Sequence, residues 1–227
     1  MVALRLLTAT TLILAAVALP TEYVGKTFDI TVQNLAYLQP FSPVLAVIHE
    51  PSIYLFQLGT PASAALRAVA EGGDPSKFVA LFQDGLEGIC GWSVAPGKTL
   101  PSTTYKGTVT ISKPCTNPHI SIVNMLGITN DAFTGINTIP LYGELSKRFE
   151  VPAYDAGTEE NNEDCQYVFG CPGSPNLDTP GLGEGFVHVH RGVHGLNVSK
   201  PGLSVDYDWR NPVAYITVSV QHPHYLF

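Results

Sequence analysis

The sequence predicts an all-β protein, an antiparallel sandwich with a short helical insertion. Residues 28–35 alternate apolar and polar side chains with period two, which is typical of a strand with one buried face. Short strand-like segments are separated by turn signals, in a chain that contains 21 Gly and 18 Pro. Charged residues are 14% of the chain and hydrophobic residues 45%, a composition that argues against disorder and against a coiled coil.

Strand-like segments are spread along the whole chain. After residues 28–35, strands are expected at residues 44–48, 53–58, 104–112, 119–126, 135–141, 149–154, 186–190 and 213–220. Residues 165–185 are rich in Gly and Pro and predict a long loop. The first and last strands have the clearest patterns, so we expect the two ends of the domain to pair and close a sheet.

The helical insertion is expected between the early strands and the later ones. Thr60-Pro61 is typical of a helix start, and the alanine-rich residues 62–71 end at Gly72-Gly73. Asp74-Pro75 repeats the start signal and predicts a second short helix over residues 76–83.

The N-terminus is typical of a secretory signal peptide. Arg5 provides the positive charge, residues 6–17 are mostly apolar, and Ala16-Val17-Ala18 is a small-x-small cleavage site. We therefore predict a signal peptide over residues 1–18, one domain over residues 19–227, and a secreted protein without a membrane span. An uncleaved anchor is the alternative, although the apolar run falls short of the roughly 20 residues that a span needs. The net charge of −7 gives no electrostatic reason to expect nucleic acid as a partner.

Secretion determines how the four cysteines are interpreted. An even number of cysteines in an oxidising compartment predicts two disulfides, and three pairings are possible. Proximity in sequence favours Cys90 with Cys115 and Cys165 with Cys171. Asn197 begins an Asn-Val-Ser sequon and is the expected glycosylation site.

Two acidic segments are candidates for a metal site. Asp155 and Glu159 lie four residues apart across Gly157, and a loop that contains glycine can turn both carboxylates toward one ion. Asp131, in an earlier loop, could provide a third carboxylate. Calcium takes roughly 6–8 oxygen ligands from carboxylates, carbonyls and water, so these residues fit it chemically. Solvated surface acids are the alternative interpretation of the same spacing.

The same two segments carry a family resemblance. Residues 129–135, Thr-Asn-Asp-Ala-Phe-Thr-Gly, and residues 154–159, Tyr-Asp-Ala-Gly-Thr-Glu, resemble the two signature segments of the spondin N-terminal domain, the adhesive module of F-spondin and mindin. Residues 184–195 and 208–214 are similar to the microbial single-domain branch of that family. The resemblance covers about residues 28–220.

The resemblance implies more than the spacing does. It implies a C2-like antiparallel β-sandwich with one calcium ion at its loop end, held by Asp131, Asp155 and Glu159. Glu159 stands where the animal domains have aspartate, which leaves Glu160 or a backbone carbonyl as a substitute ligand. The resemblance also implies an adhesive role at the cell surface or in the matrix, but it does not identify the protein or carbohydrate ligand.

Histidines provide the competing hypothesis. The alternation in Val187-His188-Val189-His190 places both imidazoles on one face of a strand, about 7 Å apart, and His194 follows a turn. Three imidazoles can hold zinc or copper, so the alternative function is a secreted metalloenzyme or metal-binding protein that uses His188, His190 and His194. Hydrogen bonds from these histidines to nearby carboxylates and carbonyls are the simpler explanation.

Catalytic motifs of other kinds are absent from the sequence. It contains no G-x-S-x-G nucleophile elbow, no H-E-x-x-H pair and no phosphate-binding loop. The expected function is therefore calcium-dependent binding or adhesion outside the cell, without an enzymatic activity.

Overall fold

The computed structural model describes residues 23–142, 146–175, 182–196 and 202–221. These residues form a predominantly antiparallel β-structure with two short helices. The strands are β1 (Thr27–Asn34), β2 (Leu45–His49), β3 (Ile89–Val94), β4 (Thr104–Thr110), β5 (His119–Met125), β6 (Ala132–Pro140), β7 (Ser146–Val151), β8 (Ala153–Asp155), β9 (His188–Val189) and β10 (Ala214–Val220). The helices are α1 (Ala64–Gly72) and α2 (Ser76–Gln83), both between β2 and β3, and Val205–Tyr207 forms a 3-10 turn. The predicted all-β sandwich with a helical insertion is confirmed.

Two sheets form the sandwich. The four-stranded sheet has the order β4-β1-β10-β7, and the six-stranded sheet has the order β3-β2-β5-β6-β8-β9. In the first sheet β1 and β10 pair antiparallel from Phe28 opposite Val220 to Asn34 opposite Ala214. The expectation that the first and last strands close a sheet is confirmed.

The main core lies between the two sheets. Alternate residues of β1, among them Phe28 and Ile30, pack in one cluster with Ile216 of β10 and with Ile120 and Ile122 of β5. All five side chains are buried, and burying a residue of this size contributes roughly 1.5–3 kcal/mol. The period-two pattern of β1 therefore reflects one face toward this core and one toward solvent.

A second core lies between the six-stranded sheet and the helices. Leu66 and Phe82 of the helices pack with Val47 of β2, Val123 of β5 and Phe133 of β6. Because both faces of the sheet are covered here, every residue of β5 is buried and the strand shows no alternation.

Helix α1 begins and ends at specific local signals. The Ser63 hydroxyl accepts the Leu66 backbone N–H, so the N-cap is Ser63 and not the expected Thr60. Gly73 ends the helix in the left-handed region, at φ 65°, as the pair Gly72-Gly73 predicted.

The prediction of a strand over residues 53–58 is wrong, because this segment is a loop. Leu55 and Phe56 are buried, which explains the apolar pattern. Their backbone groups bond to a side chain instead of to a strand: Asn137 Oδ1 accepts the Leu55 N–H, and Asn137 Nδ2 donates to the Phe56 carbonyl.

The strand expected over residues 149–154 is two strands that belong to different sheets. β7 pairs with β10 in the four-stranded sheet, and β8 pairs with β6 in the six-stranded sheet. Pro152 separates them, and since proline has no N–H to donate it is a natural place for the chain to leave one sheet.

Strand β3 was not expected from the sequence. It contains Gly91, and glycine weakens the strand signal in the sequence. Glycine is needed at this position because a side chain there would collide with the backbone carbonyl of Thr110. The strand at residues 186–190 is also shorter than expected, since only His188 and Val189 form β9.

Both disulfides favoured by sequence proximity are formed. Cys90 bonds to Cys115 and Cys165 bonds to Cys171, and all four cysteines are buried. The expected signal peptide at residues 1–18 and the sequon at Asn197 lie outside the described residues. Among the helices that the structure describes, none is both long and apolar enough to cross a membrane.

Candidate metal-binding site

The register of three neighbouring strands brings the candidate residues together. Asp155, the last residue of β8, lies opposite Ala132 of β6 on one side and opposite His188 of β9 on the other. Asp131 immediately precedes β6, and its carbonyl accepts the N–H of Ala156. The two acidic segments and the histidine segment, distant in sequence, therefore meet at one edge of the six-stranded sheet.

Asp131 is fully buried, and only one of its two carboxyl oxygens has hydrogen-bond partners among the described residues. Its Oδ2 accepts the backbone N–H groups of Thr158 at 2.7 Å and Glu159 at 3.1 Å, and also the Thr158 hydroxyl at 3.2 Å. Its Oδ1 is buried and has no hydrogen-bond partner among the described residues. One oxygen of this carboxyl group therefore holds the following loop in place, while the other is available to a ligand.

The environment of Asp131 disfavours its negative charge. Burial is the main cause, the nearby charge of Asp155 adds to it, and together they raise the pKa of Asp131 to about 8, against the opposing hydrogen bonds from Thr158 and Glu159. Without a cation, this environment therefore favours the protonated form of the Asp131 carboxyl group.

Asp155 is the central acid of the site. Its Oδ1 accepts the Gly157 N–H at 2.7 Å, and its Oδ2 accepts the side-chain amide of Asn161 at 2.7 Å. The Nε2 atoms of His188 and His190 each lie 3.8 Å from one of its oxygens. Both imidazoles therefore reach the same carboxylate, as expected for histidines on one strand face.

Glu159 and Glu160 differ in burial. Glu159 is 5% exposed and its backbone N–H is fixed on Asp131, whereas Glu160 is exposed. Of the two acids that the sequence offered for the third carboxylate, Glu159 is the buried one.

His190 is held as a neutral hydrogen-bonding residue. Its Nδ1 accepts the Gly192 N–H at 2.9 Å, so its Nε2 carries the proton and donates to Asn161 Oδ1 at 3.0 Å. Burial lowers the pKa of His190, with the charge of Asp155 opposing that shift. The ring also packs against Trp209, at 5.0 Å between centroids.

His188 has the opposite arrangement, and it has an acidic neighbour that the sequence did not single out. Its Nδ1 lies 3.0 Å from the Val189 carbonyl, and its Nε2 is buried without a hydrogen-bond partner among the described residues. Glu184 Oε2 lies 3.6 Å from that Nε2. Glu184 precedes His188 by four residues, which is the one signal that could have identified it.

His194 occupies a different setting from the other two histidines. Its side chain is exposed, and its backbone N–H donates to Glu163. In the described part of the chain, the groups with three metal-ligand atoms within 4.8 Å of one another are Asp155, Glu184 and His188, and Glu50 with the disulfide-bonded Cys90 and Cys115. His194 is in neither group, and neither are Asp131 and Glu159.

The comparison with family models identifies the class of protein. The Spondin_N family model matches residues 26–164, more than half of the chain, so the chain belongs to the spondin N-terminal domain family. The match includes Asp131, Asp155 and Glu159. It ends before Glu184 and before the three candidate histidines, His188, His190 and His194. Comparison with curated proteins finds no match.

Proposed function

We propose that this protein is a secreted, calcium-binding module that attaches to an extracellular protein or carbohydrate ligand, and that it acts by binding and not by catalysis. The observation that carries the proposal is the buried pair Asp131 and Asp155, with Asp131 Oδ1 lacking a partner in the described structure. A buried polar atom without a partner costs about 1–3 kcal/mol, and more if charged. A bound cation would remove that cost and would allow Asp131 and Asp155 to carry their negative charges together.

The chemistry of the donors fits calcium. Asp131, Asp155 and Glu159 are buried carboxyl groups in adjacent loops, and a hard cation with roughly 6–8 oxygen ligands can take further ligands from backbone carbonyls and water. The proposal takes Glu159 as the third ligand in preference to Glu160, because Glu160 is exposed.

Calcium would join two loops that are already in contact. Asp131 ends the loop before β6, and its Oδ2 accepts N–H groups from the loop after β8. An ion on the other oxygen would fix these loops to each other and would present them as a rigid surface to a ligand. The ion thus acts as a structural support for binding.

The extracellular location is supported by two further features. Both pairs of cysteines form disulfides, which persist in oxidising compartments. The spondin N-terminal domain is an extracellular module, and the sequence predicts a signal peptide ahead of it.

Elemental analysis of the purified mature protein tests the proposal. We expect about one calcium ion per chain, lost on dialysis against EGTA and in an Asp131→Asn variant. Glu160→Gln is the matched control, since it removes an exposed acid from the same loop and should retain calcium. No calcium in the wild-type protein, or equal calcium in the two variants, would overturn the proposal.

A further inference from the structure

We infer that Asp155, Glu184 and His188 form a second metal site, one for a divalent transition ion of the zinc class. The three residues offer ligand atoms that all lie within 4.8 Å of one another. The spacings within the group, 3.8 Å from His188 Nε2 to Asp155 Oδ1 and 3.6 Å to Glu184 Oε2, are too long for hydrogen bonds. They suit atoms that share an ion about 2.0–2.2 Å from each of them.

The tautomer of His188 carries the inference. Its Nδ1 lies 3.0 Å from the Val189 carbonyl, which can only accept, so Nδ1 carries a proton. In the neutral ring this leaves a lone pair on Nε2. That atom is buried without a hydrogen-bond partner among the described residues, and it faces two carboxylate oxygens.

A lone pair that faces two carboxylate oxygens is unfavourable, and a cation between the three atoms would relieve the repulsion. A metal ion satisfies all three groups at once, and an Nδ1–H bond to a backbone carbonyl is the usual way in which proteins orient an imidazole toward a metal. A proton on Nε2 is the competing occupant, and the experiment below distinguishes the two.

The backbone holds the three ligands in place before any ion binds. Asp155 and His188 are opposite residues of β8 and β9. Glu184 lies on a loop whose Gly185 N–H donates to the Gly157 carbonyl at 2.8 Å. A side chain at Gly157 or at Gly183 would collide with the facing backbone, so the two loops pack at main-chain distance and Glu184 is set beside Asp155.

The donor set determines the class of ion. One imidazole and two carboxylates suit zinc better than calcium, which takes only oxygen ligands in protein sites. The side chains of Glu184 and His188 are 30% and 21% exposed, so water can reach the group and complete a four-coordinate shell. His190 contributes no ligand, because both of its ring nitrogens are used in hydrogen bonds.

This site is separable from the proposed calcium site. Asp155 is common to both, but His188 and Glu184 belong only to the second, and Asp131 only to the first. Either site can therefore be removed by substitution while the other is kept.

Zinc titration of the untagged, EGTA-treated protein tests the inference, with calorimetry in calcium-containing buffer and cobalt absorption spectra as a second readout. We expect one zinc ion per chain, and a weakening of at least roughly 10- to 100-fold in His188→Ala and Glu184→Gln. Asp131→Asn should retain zinc. If the wild-type protein binds zinc but no calcium, that result counts against the proposed function and leaves this inference intact.

His194→Ala is the matched control, since it removes an exposed histidine close in sequence. It should bind zinc as the wild-type protein does. The inference is overturned if the wild-type protein binds no zinc, which is the result expected for a proton on His188. It is also overturned if His188→Ala and His194→Ala weaken zinc binding equally. A circular dichroism spectrum confirms that each variant is folded.

Discussion

Two buried acids in neighbouring loops, Asp131 and Glu163, differ in how their carboxyl groups are satisfied. Both Glu163 oxygens accept backbone N–H groups, Oε1 from His194 and Oε2 from Leu196. Asp131 has two N–H groups on Oδ2 and no partner on Oδ1 among the described residues. Glu163 is therefore a complete structural brace for residues 194–196, whereas Asp131 is incomplete without a proton or a cation.

Asp131 and Glu163 are both buried but differ in what their carboxyl groups can do. Both side chains are under 5% exposed, so burial alone does not distinguish a structural acid from a ligand-binding acid. The distinguishing observation is an unsatisfied oxygen, because native proteins rarely leave a buried acceptor without a partner.

The largest expected effect on the free energy of unfolding comes from removing the Glu163 carboxylate. Glu163→Ala leaves the N–H groups of His194 and Leu196 without their acceptor, and hydrogen bonds to charged groups are worth roughly 1.5–3 kcal/mol each. We expect a loss of about 3 kcal/mol in the free energy of unfolding, measured by urea denaturation in EGTA. Calcium content should not change. Wild-type stability in this variant would show that the brace has no energetic role.

The next effect is the stabilisation of the wild-type protein by calcium. At a calcium concentration 100 times Kd, linkage predicts about 2.7 kcal/mol, or a rise in Tm of roughly 5–10 °C for a chain of this size. Scanning calorimetry with and without EGTA measures it. Glu163→Gln should show the same rise and Asp131→Asn none. An equal rise in both variants would contradict the assignment of Asp131 as a ligand.

An effect of similar size is expected from pH in the metal-free protein. Burial and the charge of Asp155 raise the pKa of Asp131 from 3.8 to about 8, so between these values the folded state binds more protons than the unfolded state. The contribution of Asp131 to stability is therefore present at low pH and is lost as pH rises toward 8, by up to about 1.4 kcal/mol per pH unit.

The pH effect is measured as a difference between two proteins. Urea denaturation in EGTA at pH 5, 6 and 7 should show the wild-type protein losing stability relative to Asp131→Asn, which cannot titrate at this position. Parallel pH profiles of the two proteins would show that Asp131 ionises normally in the folded state.

The smallest effect is expected at Glu160, an exposed acid beside Glu159. Glu160→Gln should change the free energy of unfolding by less than about 0.5 kcal/mol, with or without calcium, because exposed substitutions away from special contacts usually do so. A larger change, present only with calcium, would make Glu160 a ligand in place of Glu159. Calorimetry in the two buffers decides between them.

Features that depend on residues close together in the chain could be predicted. The period-two pattern placed β1, Gly72-Gly73 placed the end of α1, and proximity favoured the pairing of Cys165 with Cys171. The loop containing Asp131 and the loop containing Asp155 and Glu159 were identified as one candidate site, and the structure brings Asp131 and Asp155 together.

Features that depend on packing between distant segments could not be predicted. The apolar pattern at residues 53–58 reports the burial of Leu55 and Phe56, but only the position of Asn137 decides that their backbone does not form a strand. Likewise, Pro152 is a local sign of a break within residues 149–154, but only the pairing of β7 with β10 and of β8 with β6 divides them between two sheets.

The sequence by itself predicted the class of fold, favoured the observed pairing of the cysteines and identified the candidate acids, because alternation and turn residues are local patterns. Only the tertiary structure decided which groups share a site. The register of β6, β8 and β9 places His188 opposite Asp155, and the close packing of Gly157 against the loop at residues 183–186 adds Glu184. Register between strands is a long-range property, so the sequence offered three histidines as the alternative ligand set, whereas the inferred zinc site combines one histidine with two acids.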